Sequence, residues 1–149
     1  MSIATLLPSN HIFLDMESTN KEDTIHQLGE VLTNNGLVSN KEAYIQSVLE
    51  REQHSTTGIG NNIAIPHGKS EAVIEPSIVF ARLKQPIDWQ SLDEEPVSVV
   101  ILLAIPESQK GDTHLRILSE IAMKLMDDEI TAQLKTETNK EQIAKLLSE

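Results

Sequence analysis

Cysteine is absent from the 149 residues of this chain. The fold therefore uses no disulfide, and the chain offers neither a thiol nucleophile nor a cysteine-based zinc site. Aromatic residues are also scarce, at two Phe, one Trp and one Tyr. The core is expected to be aliphatic, and any nucleophile must be a residue other than cysteine.

Long apolar runs are missing as well. The longest, Val97 to Ile105, is about half of what a bilayer-crossing helix requires, and no basic-then-apolar leader opens the chain. These features predict a soluble, cytoplasmic protein. The length suits one domain, residues 1–149, built around a single core.

Basic residues are few, since 12 Lys and Arg stand against 23 Asp and Glu, for a formal net charge of −11. Such a charge repels nucleic acid and anionic membranes and favours a basic protein partner. It is equally consistent with a role in solubility alone. Nucleic-acid binding is not expected.

Hydrophobic periodicity predicts strands interleaved with helices. Strands are expected at His11–Met16, Ser77–Leu83 and Val97–Ile105, with the last central to its sheet. Helices are expected from Asn20 to about Gly36, from a capping box at Ser39 and Glu42 to about Gln53, after Asp112 or Thr113, at Ile130–Leu134 and from Asn139. Residues 55–62 read as a loop. The interleaving predicts an α/β fold, a three-layer sandwich of one sheet covered by helices.

Finer expectations concern which residues share a face. In the first strand, Ile12, Leu14 and Met16 are expected on one side, and His11 at the surface. The helix after Thr113 is expected to bury one stripe of apolar residues: Leu115, Leu118, Ile121, Ala122, Leu125 and Met126. Trp89 can either pack over the edge of the core or serve as an interface residue, and packing is favoured.

The most constrained stretch of the chain ends on His67. Pro66 fixes its own φ and biases Ile65 to an extended backbone, while Gly68 could let another molecule approach the imidazole closely. A neutral imidazole is nucleophilic near neutral pH, and a phosphohistidine is reactive enough to pass its phosphoryl group onward. A single histidine beside a strand is more often a structural residue, but these neighbours favour an exposed nucleophile.

Two further residues could assist such a nucleophile. His114 lies near a helix start, where exposed N–H groups and the helix dipole attract an anion, although it could equally be a solvent-facing residue of the first turn. Arg51 offers a forked cation that matches phosphate oxygens, although an arginine at a helix end is commonly solvated or paired with a residue such as Glu50 or Glu52.

Nucleotide and metal motifs fail when their residues are counted. Gly68-Lys69-Ser70 resembles the end of a P-loop, but Ile63 occupies the position of the required earlier glycine. Ile63 also replaces the third glycine of a dinucleotide fingerprint that would start at Gly58. No H-E-x-x-H occurs and the histidines are scattered. No cofactor or metal is expected, so phosphate must arrive already attached to a donor.

Four segments of the chain resemble the fructose/mannitol class of enzyme IIA domains of the bacterial sugar phosphotransferase system. Gly60 to Gly68, GNNIAIPHG, resembles the phosphorylation-site signature of that family. The other three, in matching order, are Leu49–Glu52, Ile87–Asp93 and His114–Leu118. The resemblance covers nearly the whole chain.

The resemblance implies a mixed sheet flanked by helices on both faces. It also implies that His67 accepts a phosphoryl group from the carrier HPr, or an HPr-like protein, and passes it to the cognate enzyme IIB, with the membrane enzyme IIC a partner only indirectly. His114 and Arg51 then match the family's supporting histidine and phosphate-stabilising arginine. A fructose-type role in sugar uptake is favoured by Asp88 to Asp93.

Two other functions stay open on the sequence. The regulatory nitrogen-related enzyme IIA shares the Thr57-Gly58-Ile59-Gly60-Asn61 run and acts as a phosphorylation-dependent signalling module. A metal-dependent hydrolase using His67 and His114 as ligands is the alternative of another class, and it lacks a recognisable third ligand.

Overall fold

The computed structural model describes residues 3–107 and 113–148, except for the side chains of residues 113–115. Its elements in chain order are α1 (Ile3–Leu6), a short 3₁₀ turn (Ser9–His11), β1 (Ile12–Met16), α2 (Lys21–Asn34), α3 (Lys41–His54), β2 (Gly58–Gly60), β3 (Ile63–Ala64), β4 (His67–Ser70), β5 (Ser77–Ile87), β6 (Val97–Pro106), α4 (Thr113–Leu125), α5 (Asp128–Thr136) and α6 (Lys140–Ser148). None of these helices has the length and apolar character needed to span a membrane.

Within the described residues the strands form one mixed sheet in the order β1-β5-β6-β3-β2. β5 and β6 are antiparallel, whereas β1 runs parallel to β5. β3 and β4 pair in turn with the same edge of β6, both parallel to it. The mixed sheet and the central position of β6 are confirmed.

Each face of the sheet is covered by helices. Alternate residues of β5 and β6, such as Val79 and Leu102, pack against α2 and α3 in one apolar cluster. The residues between them, such as Phe80 and Ile101, pack in a second cluster with α1, α4 and α6 on the opposite face. This alternation confirms the three-layer sandwich and explains why both strands read as continuous apolar runs.

The predicted caps of α2 and α3 have different outcomes. Asn20 caps α2 by accepting from the Asp23 N–H at 2.8 Å, as expected. The capping box at Ser39 was wrong, because Asn40 is the residue with extended backbone that caps α3. The Ser39 hydroxyl instead donates to the Ala72 carbonyl at 3.2 Å, which ties the start of α3 to the segment after β4.

Residues 55–62 are only partly the loop that the sequence predicts. β2 and β3 form a tight antiparallel hairpin, in which Gly60 pairs with Ile63. Its two turn residues, Asn61 and Asn62, have φ of 55° and 66°, the left-handed backbone that two-residue hairpin turns favour. Strands of two and three residues are too short for an alternating pattern to reveal them.

β1 departs from the predicted alternation near its end. Asp15 has φ of 62° and the pairing of β1 with β5 shifts register between Phe13 and Met16. Ile12 and Leu14 therefore face one apolar cluster, while Met16 joins Phe13 on the other face. The expectation that Met16 shares a side with Ile12 was wrong, because a local irregularity reverses the strand's facing.

His11 was expected at the surface and is buried, with 2% of its surface exposed. Its Nδ1 donates to the Ile78 carbonyl oxygen at 2.9 Å. Burial lowers the pKa of His11, and hydrogen bonds with the backbone of Ile78 and Leu6 partly oppose that effect. The 3₁₀ turn therefore fastens the start of the chain to β5.

α4 buries only part of the predicted stripe: Ile121 and Leu125 are confirmed, Leu118 is partly buried, and the side chain of Leu115 lies outside the described residues. Ile117, Ile121 and Leu125 face the core. Ala122 is exposed, and Met126 is 82% exposed beyond the end of the helix. The expectation was wrong for these last two, because the buried face follows residues separated by one turn, starting at Ile117.

Candidate functional site

His67 is the first residue of β4, at the point where the chain leaves β3 and resumes pairing with β6. Its register partner is Leu103, and the Leu103 N–H donates to the carbonyl of Pro66 at 3.0 Å. Because proline has no N–H, Pro66 takes part in the hydrogen bonding with β6 only through its carbonyl. The backbone on both sides of His67 is thus fixed by β6.

The imidazole of His67 is half-buried, and its Nδ1 lies 3.0 Å from the carbonyl oxygen of Ile65. A carbonyl can only accept, so this contact requires the hydrogen on Nδ1. In the neutral ring the lone pair is then on Nε2. The contact therefore assigns the basic lone pair of a neutral His67 ring to Nε2.

A cleft of about 540 Å³ surrounds the ring at the outer edge of β4. It is lined by residues of α3, β4 and α4: Ser47, Glu50, Arg51, His54, His67, Gly68, Lys69 and Leu118. Arg51 and Lys69 are permanent cations, whereas Glu50 is the one carboxylate in this lining. In a chain of net charge −11, the cleft is a local surface that favours an anion.

Arg51 lines this cleft together with His67, and its role in stabilising phosphate stays a prediction. Its Nη1 donates to the Ser55 carbonyl at 2.9 Å and to the Ser55 hydroxyl at 3.3 Å. Glu52 pairs with Lys21 instead. The guanidinium is therefore held at the end of α3, beside the cleft.

His54 and Lys69 line the cleft and were not singled out by sequence reasoning. A histidine at the end of a helix is adequately explained as a cation that interacts with the helix dipole. The spacing of the sequence could have identified both. His54 shares a helix face with Ser47 and Arg51, because these positions are three or four residues apart. Lys69 lies two residues after His67, which places both on one side of a strand. Each stands on the same side of its element as a predicted site residue.

Gly68 has a packing role that the sequence did not predict. A Cβ at this position would lie 2.8 Å from Val48 Cγ2 and 3.1 Å from the Val48 nitrogen. The glycine thus allows α3 to pack directly on β4, and the close approach of another molecule expected at this glycine stays a prediction. Close packing of this helix is what brings Arg51 beside His67.

His114 falls in the first turn of α4, and its side chain lies outside the described residues. In the sequence it precedes Leu118, which lines the cleft, by four residues. Its supporting role stays a prediction. Among the described residues no group of three or more His, Asp or Glu side chains could hold a metal ion.

Trp89 packs rather than standing at the surface, as favoured from the sequence. It is fully buried, and its Nε1 donates to the Thr57 hydroxyl at 3.2 Å. The Thr56 hydroxyl donates to the carbonyl of Trp89 at 3.1 Å. These contacts fasten the segment between β5 and β6 to the start of β2.

Comparisons with known proteins identify the family. The model of the phosphoenolpyruvate-dependent sugar phosphotransferase system, EIIA 2, matches residues 5–149. The chain is 42% identical over 134 residues to the PTS system fructose-specific EIIABC component of Bacillus subtilis, covering 90% of this chain and 21% of that protein. It is 33% identical over 147 residues to the PTS system fructose-specific EIIA component of Haloferax volcanii, covering 99% of this chain and 95% of that protein.

The chain therefore spans about a fifth of the Bacillus relative and nearly all of the Haloferax one. Among solved structures, the nitrogen regulatory protein IIA-Ntr of Neisseria meningitidis superposes with a TM-score of 0.89 at 31% identity, covering 98% of this chain and 99% of that one. The chain belongs to the EIIA type 2 family and is a phosphotransferase component of the phosphoenolpyruvate-dependent sugar phosphotransferase system.

Proposed function

We propose that His67 carries a phosphoryl group between two proteins, accepting it from the phosphohistidine of HPr or an HPr-like domain and delivering it to the cognate EIIB. Arg51 stabilises the phosphoryl oxygens and His114 supports the phosphorylated ring. The observation that carries this proposal is the bond from His67 Nδ1 to the Ile65 carbonyl. It leaves the Nε2 lone pair as the attacking pair in a cleft that favours anions.

In the acceptance step, Nε2 of His67 attacks the donor's phosphorus in line. The bond from phosphorus to the donor's imidazole nitrogen breaks, and its electron pair stays on that nitrogen. The new P–Nε2 bond makes a phosphohistidine that retains its Nδ1 hydrogen. Delivery repeats the exchange with a nucleophile of EIIB, so no group is lost to water.

Such a transfer proceeds through a loose transition state whose charge is spread over three phosphoryl oxygens, so it depends on positioning and charge stabilisation. Arg51 and Lys69 supply permanent positive charge in the cleft. His54 adds a further imidazole at its rim. This local excess of cations lets an acidic protein hold an anionic group without repelling it.

The partners and the sugar class follow from family likeness. The Bacillus relative is named a fructose-specific EIIABC component, which supports EIIB as the acceptor and EIIC as an indirect partner. Fructose-specific names on both reported relatives support a fructose-type system. In this proposal both exchanges take place in the cytoplasm.

The direct test is incubation with phosphoenolpyruvate, enzyme I and HPr, followed by intact-mass spectrometry and addition of EIIB. We expect one acid-labile phosphoryl group on the wild type and none on His67→Ala. His26→Gln, in α2, controls for the loss of a histidine and should be phosphorylated as the wild type is. A labelled His67→Ala protein would contradict the proposal.

A regulatory role is the second candidate, favoured by the TM-score of 0.89 to the Neisseria IIA-Ntr structure. In that case the phosphorylated and unphosphorylated forms would differ in protein binding, without delivery to a sugar-specific EIIB. One assay distinguishes the transport role from the regulatory role. Loss of label from His67 on adding a fructose-type EIIB supports transport, whereas a stable label supports signalling.

A further inference from the structure

Glu52 lies at the end of α3, next to Arg51. Arg51 lines the cleft, whereas the carboxylate of Glu52 is buried beneath the surface. Its side chain is only 4% exposed. Burying a carboxylate is unfavourable unless charged and hydrogen-bonding partners compensate it. Oε2 pairs with Lys21 Nζ at 3.5 Å, and Oε1 accepts from the hydroxyl of Thr57. Glu52 thus joins α2, α3 and the start of β2.

The Thr57 hydroxyl both donates a hydrogen bond and accepts one. Its single hydrogen goes to Glu52, so its lone pairs are left to accept, and Trp89 Nε1 donates to one of them at 3.2 Å. Lys21 Nζ also lies 5.9 Å from the centroid of the Trp89 ring, within cation–π range. Residues Lys21, Glu52, Thr57 and Trp89 form what we term the Glu52 network.

The Glu52 network leads to the imidazole of His67 through two backbone groups. The carbonyl of Thr57 accepts from the N–H of Ile65 at 3.0 Å. The carbonyl of the same Ile65 accepts from His67 Nδ1 at 3.0 Å. A displacement of Thr57 therefore moves the group that decides which ring nitrogen holds the hydrogen.

We infer that Glu52 and Thr57 are positioning residues for His67, which hold the Ile65 carbonyl where it keeps the hydrogen on Nδ1 and the lone pair on Nε2. A hydrogen-bond acceptor that sets a histidine's tautomer is a known way to tune the reactivity of the ring. The inference rests on the proposed function for its effect on phosphoryl transfer. Its effect on the tautomer is independent of that function.

The test replaces the Thr57 hydroxyl and follows the ring nitrogens of His67 by long-range ¹H–¹⁵N NMR of the neutral imidazole. Thr57→Val keeps the branched shape but removes the hydroxyl, whereas Thr57→Ser keeps the hydroxyl. Thr56→Val is the matched control, because Thr56 bonds the Trp89 carbonyl and the Gly58 N–H without touching Glu52. Glu52→Gln is a second variant that removes the buried charge.

We expect the wild type, Thr57→Ser and Thr56→Val to show the Nδ1–H form of His67. Thr57→Val should show a mixture with the Nε2–H form, and its maximal phosphorylation rate by phospho-HPr should fall about 10-fold or more with KM for the donor little changed. Glu52→Gln should shift the tautomer ratio and the phosphorylation rate in the same direction as Thr57→Val. It therefore provides the test if Thr57→Val does not fold.

A folded Thr57→Val or Glu52→Gln protein with the wild-type proportion of Nδ1–H tautomer would overturn the inference. An equal loss in Thr56→Val would also overturn it, because general loosening of the loop would then explain the effect. If the tautomer shifts as expected but no variant or wild-type protein is phosphorylated on His67, the proposed function fails while the positioning role stands.

Discussion

The hydroxyl of Tyr44 in α3 donates to the carbonyl oxygen of Leu103 at 2.8 Å, and Leu103 is the residue of β6 paired with His67. Both Tyr44 and Leu103 are buried. One side chain of α3 thus reaches the strand that fixes the backbone of the proposed nucleophile. The helix bearing Arg51 and the strand bearing His67 are locked to the same point of β6.

Tyr44→Phe should lower the free energy of unfolding by about 1–2 kcal/mol, because a buried carbonyl loses a hydrogen-bond donor and nothing replaces it. Urea denaturation followed by circular dichroism measures this change. The phenyl ring preserves the packing, so the native spectrum should not change. A stability equal to that of the wild type would contradict the importance of this bond.

Burial raises the pKa of Tyr44 above its usual range. The folded protein therefore favours the neutral phenol, whereas the unfolded chain releases that proton near pH ~10. The stability from this group is complete below that pH and is lost as the pH rises above it. Because the chain has one tyrosine, tyrosinate absorbance on alkaline titration should appear only together with unfolding.

His11 should make the fold sensitive to mild acid. Its pKa is lowered by burial, so the unfolded state binds a proton more readily than the folded one. The stability from the neutral ring is complete above the unfolded pKa and is lost as the pH falls below about 6.5. His11→Gln should flatten the fall in melting temperature over this range. Asn10→Ala, in the same turn, removes no titrating group and should keep the wild-type slope.

Gly68→Ala should impair both stability and transfer. The added methyl group meets Val48 at 2.8 Å, an overpacking that costs about 1–3 kcal/mol, and it pushes α3 with Arg51 away from His67. Gly36→Ala is the matched control, with φ of 76° and no atom within 4 Å of a new Cβ. It should lose about 1–2 kcal/mol through backbone strain while its phosphorylation rate stays that of the wild type.

Arg51→Lys should lower the phosphorylation rate about 10²-fold, because lysine keeps the charge but loses the planar fork of donors. Arg82→Lys is a matched control far from the cleft, since Arg82 Nη1 donates to the carbonyls of Leu134 and Glu137. That change should reduce the melting temperature without altering the rate. Equal rates for Arg51→Lys and the wild type would remove Arg51 from the proposed site.

Regular periodicity in the sequence was enough to predict α2, the strand at Val97–Ile105 and the three-layer arrangement. These elements are long, and their buried faces repeat several times. The β2–β3 hairpin could not be predicted in the same way, because paired asparagines at its turn define it rather than a pattern of burial. Asp15 likewise reverses the facing of β1 through its backbone alone, without any signal in hydrophobicity.

The cleft was predictable in part. His67 and Arg51 were identified by their residue types and neighbours, and the fold brings them into one cleft. The packing role of Gly68 was missed, because a glycine required by close helix packing looks in sequence like one that gives access. Glu52 and Thr57 gave no signal, since their partners Lys21 and Trp89 are far away in the chain and meet only after folding.

The chain's one tryptophan ends a row of hydrogen bonds that starts at the proposed nucleophile. Its indole fluorescence therefore comes from a fixed position in the protein, and no second tryptophan contributes to it. Phosphate on the imidazole would alter the electric field felt by that ring. If His67 carries a phosphoryl group as proposed, the molecule contains its own optical reporter for the loaded and unloaded forms, readable without a dye.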